Sequence, residues 1–180
     1  MHGVRHLIGI ASLLVLTGTA AAEPPRNAMQ ADLGLTVIGF GYERVVAPQL
    51  ALGAMVTTMG TWFGPTYDQP WMGGHGVGVR ATWFPRATAS RGLYVAPYVR
   101  AIAASVKQDT DGNDVDGGTT RLGVTGGVFV GYAWLLAGHW QVRAGVGVQY
   151  IDLAAADADG NPIAFRSAWP AIDAVVGYAF

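Results

Sequence analysis

The sequence predicts an all-β fold: a closed, antiparallel, up-and-down transmembrane β-barrel of eight strands. Three observations predict it. Of 180 residues, 51% are hydrophobic and only 13% charged, where a soluble domain carries about 25% charged residues. Apolar and polar side chains alternate with a period of two almost from end to end, which is the mark of half-buried strands and not of helices. The connections between the alternating stretches are short and long by turns.

The elements follow in order. The first residues read as a signal peptide over 1–22. Arg5 with His2 and His6 forms a basic start, Leu7 to Leu16 is an apolar run, and Ala20-Ala21-Ala22 precedes Glu23-Pro24-Pro25. Charged, apolar and then small is the order of a cleavable secretory leader. The apolar run is shorter than the about 20 residues of a spanning helix. Residues 23–180 are then the barrel domain. Without Arg5, 10 of the 11 basic residues remain against 12 acids, a balance of −2. That balance excludes nucleic acid as a partner, which needs a clustered basic face. Cysteine is absent, so neither disulfides nor thiolate metal sites are available.

Strands are predicted near 31–45, 49–62, 73–84, 92–106, 119–134, 139–153 and 167–180. All are long enough for a tilted strand that crosses a membrane in about 9 to 11 residues. Bacterial single-chain barrels have an even strand number, so an eighth is expected within Arg26 to Asp32. The first predicted strand also changes phase. Leu33, Leu35 and Val37 share one parity, while Ile38, Phe40 and Tyr42 share the other, which places a bulge or break near Val37 to Gly39. Short connections fall at Val46–Pro48, Pro85–Arg91 and Leu135–Gly138, and long ones at Gly64–Met72, Lys107–Gly118 and Ala154–Arg166. With Phe180 on the periplasmic side, every one of these lies on the side its length predicts.

The faces sort by polarity. Val77, Val79, Ala81 and Trp83 share one face of the third predicted strand, and Gly74, Gly76, Gly78 and Arg80 the other. In the sixth, Trp140, Val142, Ala144, Val146, Val148 and Tyr150 oppose Gln141, Arg143, Gly145, Gly147 and Gln149. A lipid-facing charge at mid-membrane costs about 2 to 4 kcal/mol, so the charged parity is the inner one. Aromatic residues fall where interfacial belts belong. Trp83, Trp134, Trp140, Tyr178 and Phe180 lie near the short-turn rim, and Trp62, Tyr67, Trp71, Tyr150 and Trp169 near the other.

The alternating strand that closes on Phe180 resembles the C-terminal signal of outer-membrane barrel proteins. Together with Gly41-Tyr42-Glu43-Arg44, Gly76-Val77-Gly78-Val79-Arg80, Gly92-Leu93-Tyr94-Val95-Ala96-Pro97-Tyr98 and Gly131-Tyr132-Ala133-Trp134, it resembles the small OmpA/OmpX-like outer-membrane β-barrels of Gram-negative bacteria over about residues 30–180. The resemblance implies residence in the cell outer membrane as a monomer among lipid and lipopolysaccharide. It also implies insertion by the barrel assembly machinery through the C-terminal strand. It brings no activity.

No residue set amounts to an active site, and no catalytic, cofactor-binding or metal site is assigned. His75 and Ser105 share the extracellular end and are the parts of a nucleophile and its base, but no acid is placed beside them. An interfacial histidine and a loop-edge serine explain them better, and His139 reads as a solvated turn residue. The inner charges Glu43, Arg80, Arg143, Arg100, Arg121 and Asp173 read as an ionic plug, because side chains just fill an eight-stranded barrel and buried charges have to pair. Asp109-Thr110-Asp111-Gly112-Asn113 and Asp157-Ala158-Asp159-Gly160-Asn161 space acids as calcium ligands are spaced. The sixth and twelfth positions of an EF-hand loop, however, hold Asp114 and Thr120, and turn chemistry accounts for both strings. The expectation is a non-enzymatic barrel with a structural or surface-display role. The alternatives are a lipid-modifying hydrolase or acyltransferase, and a narrow channel of weak anion preference.

Overall fold

The computed structural model describes residues 25–62, 70–109, 111, 113–114, 118–157 and 159–180. The leader 1–22 and Tyr67 lie outside the described residues. Eight antiparallel strands close into one barrel in sequential order: β1 Asn27–Leu33, β2 Val37–Ala47, β3 Leu50–Gly60, β4 Trp71–Trp83, β5 Gly92–Gln108, β6 Thr119–Leu136, β7 Trp140–Ala156 and β8 Pro162–Ala179. Sequential hairpins need only short links, and closure gives each strand a partner strand on both sides, as a β-structure in lipid requires.

The eighth strand is β1, and it removes the irregularity of the first predicted strand. The chain reverses at Gly34-Leu35-Thr36, three residues before the break expected at Val37 to Gly39. Gly34 N–H donates to the Val37 carbonyl at 2.8 Å. A Cβ on Gly34 would stand 2.8 Å from Val37 Cγ1, so glycine lets the turn close this tightly. After the reversal, Ala28, Gln30 and Asp32 of β1 and Val37 and Glu43 of β2 all point inward. The phase change was the hairpin itself.

Two other connections differ from expectation. The link at 34–36 is short although it lies on the rim of the long loops. Between β7 and β8 only 157–161 remain outside strands, where Ala154–Arg166 was expected as loop. The hairpin continues because Leu153 and Phe165 bury inward while Asp152 and Arg166 pair across it at 2.9 Å. β6 to β8 have 17 or 18 residues against 11 in β2 and β3. At about 3.4 Å per residue, the wall on that side stands about 20 Å taller along the strands. At the opposite rim, Ala137 and Gly138 take φ of 48° and 78°, the mirror-image turn that suits a tight hairpin.

Outside, the wall is apolar: Ile38, Phe40, Val56, Val77, Val130 and Val146 are among its exposed side chains. Trp83, Trp134, Trp140, Tyr178 and Phe180 are exposed at the short-turn rim as expected, with Trp140 edge-on to Tyr178 at 5.6 Å. Trp169 departs from expectation, since it packs on the apolar cluster inside the barrel.

Closure is completed by the last residue. Phe180 N–H donates to the Asn27 carbonyl at 2.8 Å and Asn27 N–H to the Phe180 carbonyl at 3.1 Å. Deleting Phe180 removes both bonds and the terminal ring. We expect the deletion to lower folded barrel recovered from cells at least several-fold while refolding in detergent is retained. Folded and unfolded bands on unboiled gels measure it, and equal folded yield from cells would refute it.

Candidate functional site

The lumen holds the residues that the sequence singled out. Its lower half, towards the short turns, is a stack of buried polar groups. Gln30 Nε2 donates to Gln141 Oε1 at 2.7 Å. Above it Arg143 grips Glu43 with both terminal nitrogens, Nη1 on Oε2 at 2.8 Å and Nη2 on Oε1. Thr82 Oγ1 adds a bond to Oε2 at 3.2 Å. Asp173 accepts from Arg80 Nη2 and Tyr94 Oη, each at 2.5 Å. Arg100 Nη2 donates to Asp32 Oδ2 at 2.9 Å.

Each guanidinium also lies against a ring. Arg100 lies 4.2 Å from the Tyr98 ring centre and Arg80 5.1 Å from that of Phe129, and Tyr98 stacks on Phe129 at 5.0 Å. Such contacts strengthen when water is excluded. The six ionised side chains are at most 8% exposed, so the pairing that buried charge requires is met inside the barrel.

Glycines make this stack fit. A Cβ at Gly78 would lie 2.7 Å from Arg100 Cγ, and one at Gly145 2.6 Å from Tyr94 Oη. The inward glycines on β4, β6 and β7 are therefore clearance for side chains reaching across from β5.

The structure sets the pairing and corrects one expectation. Glu43 takes Arg143, and Arg80 goes to Asp173. Residues on the same inner parity sit at different heights once the strands tilt, and tilt is not written in any one strand. Arg121 was expected inside. It is exposed beside the register shift between Thr120 and Val124, and Asp32 of β1 supplies the third acid. Three arginines therefore meet three carboxylates. The excess of inner positive charge that suggested an anion preference is gone.

Higher up, the lumen turns apolar. Met59, Met72, Ile102, Ile151, Leu153 and Phe165 form one buried cluster there. A bridging layer joins the two halves: Tyr98 Oη donates to Gln149 Oε1 at 3.1 Å, and Gln149 Nε2 donates to Thr36 Oγ1 at 3.3 Å. At the short-turn mouth Phe84 and Ala89 fold inward, held by bonds from their N–H groups to the Gln49 and Pro48 carbonyls at 2.8 and 2.7 Å. Beside Asp32, Glu43 and Arg80 about 10 Å³ is left, at the lower limit of room for one water molecule.

The other candidates lie outside the lumen. His75 is exposed on the outer wall, where its Nδ1 and Thr58 Oγ1 share a hydrogen bond of 3.0 Å. Ser105 pairs with Gly73 in the register and His75 with Ala103, which sets them diagonally apart on that wall. No bond joins them among the described residues. His139 lies in its turn and stacks on Tyr178 at 5.6 Å. In the loops, Asp109 accepts the N–H groups of Asp111 and Asn113, both at 2.9 Å. Asp157 accepts from Asn161 N and Nδ2 at 2.8 and 2.9 Å. The Asn161 side chain, helped by backbone N–H groups, holds the Asp157 carboxyl below its ordinary range against an opposing desolvation. These are turn-closing aspartates. Thr110, Gly112 and Ala158 of the two strings lie outside the described residues. No group of three metal-binding side chains occurs among the described residues.

No family model matches the sequence, and no curated protein matches it. Among solved structures, the Neisserial surface protein A, NspA, is similar with a TM-score of 0.53 at 14% identity over 86% of this chain and 95% of that one. The chain has the fold of a small outer-membrane β-barrel. Two further barrels are similar at lower scores. They are the N-terminal domain of Pseudomonas aeruginosa OprF, with a TM-score of 0.48 at 8% identity over 86% of this chain and 96% of that one, and Escherichia coli outer membrane protein W, with 0.47 at 15% over 88% and 99%. In an outer-membrane barrel the short turns face the periplasm and the longer loops the outside. The ionic half of the lumen is then periplasmic and the apolar half extracellular.

Proposed function

We propose that the protein is a closed, non-conducting and non-enzymatic barrel, inserted as a monomer in the outer membrane, that has a structural or surface-display role. The observation that carries this reading is the cross-lumen set of three ion pairs capped by an apolar cluster. A conducting lumen needs a continuous wet path, whereas here every ionised group faces a partner and the extracellular half is lined by hydrocarbon. The engagement of His75 Nδ1 by Thr58, and not by an acid or by Ser105, supports the reading over a hydrolase of the outer wall.

Conductance is the test. Purified mature barrel in planar bilayers is expected to show no unit steps at 100 mV in 1 M KCl, while Glu43→Ala combined with Phe165→Ala shows flickering openings. Steady unit conductance in the wild type would overturn the reading.

A further inference from the structure

The outer wall is not uniform. A groove of about 590 Å³ opens at the extracellular rim over β3, β4 and β5 and includes Thr58, His75, Ser105 and Lys107. Below it an apolar trough of about 630 Å³ includes Ala54, Val56, Val77, Val79 and Ala101. The register makes the two continuous. Thr58 pairs with His75 and that residue with Ala103; two residues lower, Val56 pairs with Val77 and that residue with Ala101. Alternate residues of a strand share a face, so one track runs down the wall from polar to apolar.

The polar end is furnished. Lys107 is exposed and enters none of the ion pairs among the described residues. Its stem lies across Gly73, where a Cβ would sit 3.6 Å from Lys107 Cγ and 3.8 Å from Cε. That lays the cation along the groove. With His75 Nδ1 engaged by Thr58, Nε2 is left as its second polar atom. Trp62 folds over Gly60, whose Cβ would meet the indole at 2.7 Å, and forms a wall with an interfacial ring. The apolar end is wide. It is lined from Met29 on β1 round to Val124 on β6, with small side chains at Ala54 and Ala101 as its floor.

We propose that this track is a binding site for one lipid A molecule of the outer leaflet, a phosphate at Lys107 and His75 and several acyl chains side by side in the trough. The cation next to interfacial tryptophan matches a phosphate at headgroup depth. The apolar lining below takes acyl chains, and the track opens on the outer-leaflet side. The site lies on the exterior and does not depend on whether the lumen conducts.

Native mass spectrometry of the mature barrel in detergent tests it, with three probes: hexa-acylated bisphosphorylated lipid A, the same lipid without phosphates, and phosphatidylglycerol. The wild type is expected to retain one lipid A, at least tenfold more tightly than either other probe. Lys107→Glu and Ala101→Trp each weaken lipid A at least tenfold, and Val146→Trp on the far wall does not. All three positions face lipid, and unboiled gels confirm folding; if Ala101→Trp fails to fold, Lys107→Glu decides. Equal retention of phosphatidylglycerol, or wild-type affinity in Lys107→Glu, overturns the proposal. So does an equal loss in Val146→Trp.

Discussion

Glu43→Gln is expected to destabilise the barrel by at least about 1 kcal/mol, and by up to the roughly 3 to 5 kcal/mol of a broken buried pair. The neutral amide keeps the size of the side chain but leaves Arg143, which has no exposed side-chain surface, without its counter-charge. Thr82 Oγ1, 3.4 Å from Arg143 Nη1, is too weak a substitute. Val79→Thr, on the outer face of β4, is the comparison, and its effect is expected to be smaller. The double change Glu43→Leu with Arg143→Met separates charge from packing. Replacing both partners by apolar groups of similar volume is often neutral or stabilising, so it should recover most of the loss. Urea unfolding in detergent micelles, followed by tryptophan fluorescence, measures all four proteins. If Glu43→Gln unfolds with the wild type, the ionic stack is not what holds the periplasmic half together.

Phe165→Ala is the second large effect, and it tests the other half of the lumen. Phe165 is fully buried among Ile151, Leu153 and their neighbours. Truncating a buried phenylalanine costs about 3 to 5 kcal/mol, in lost transfer energy and in the cavity left behind. Phe165→Leu keeps most of the volume and is expected to cost less than about 1.5 kcal/mol. The pairing of Phe165 with Leu153 in the β7–β8 hairpin holds the backbone at this position and limits its freedom to collapse. In urea the alanine variant should unfold at a clearly lower midpoint with an unchanged slope. A loss below 1 kcal/mol would mean that the extracellular half is a wet vestibule. Lipid A binding on the outer wall should survive both lumen variants.

Much of the fold was legible in the sequence because the bilayer imposes one rule on every strand. Lipid outside and charge inside, at a period of two, fixes which face of each strand is which. That alone placed Val77 and Val79 outward, Arg80, Arg100, Arg143 and Asp173 inward, and the aromatic ring of Trp83, Trp134 and Trp140 at the periplasmic rim. The loop aspartates were legible too, since Asp157 and Asn161 close their turn with local bonds. β1 was legible only through the even strand number, which placed it within Arg26 to Asp32; seven residues carry too few alternations to stand out by themselves, and the reversal at Gly34 looked like a phase error. The β7–β8 hairpin was under-read for a related reason: its alanines and paired charges blur the alternation that Leu153 and Phe165 continue.

What the sequence determined by itself is parity: the barrel and the face of most strand residues, with Arg121 the exception. What only the tertiary structure decided is height. Tilt and stagger set which inward residues meet, so Glu43 found Arg143, Arg80 found Asp173, and Asp32 replaced Arg121 as the partner that balances the charge. The same stagger lined up Lys107, His75 and Ala101 on one outer track and gathered Trp169 into the core. Pairing across a closed sheet is a property of the ring and not of any strand, because each contact depends on the summed register of every hairpin between its two residues.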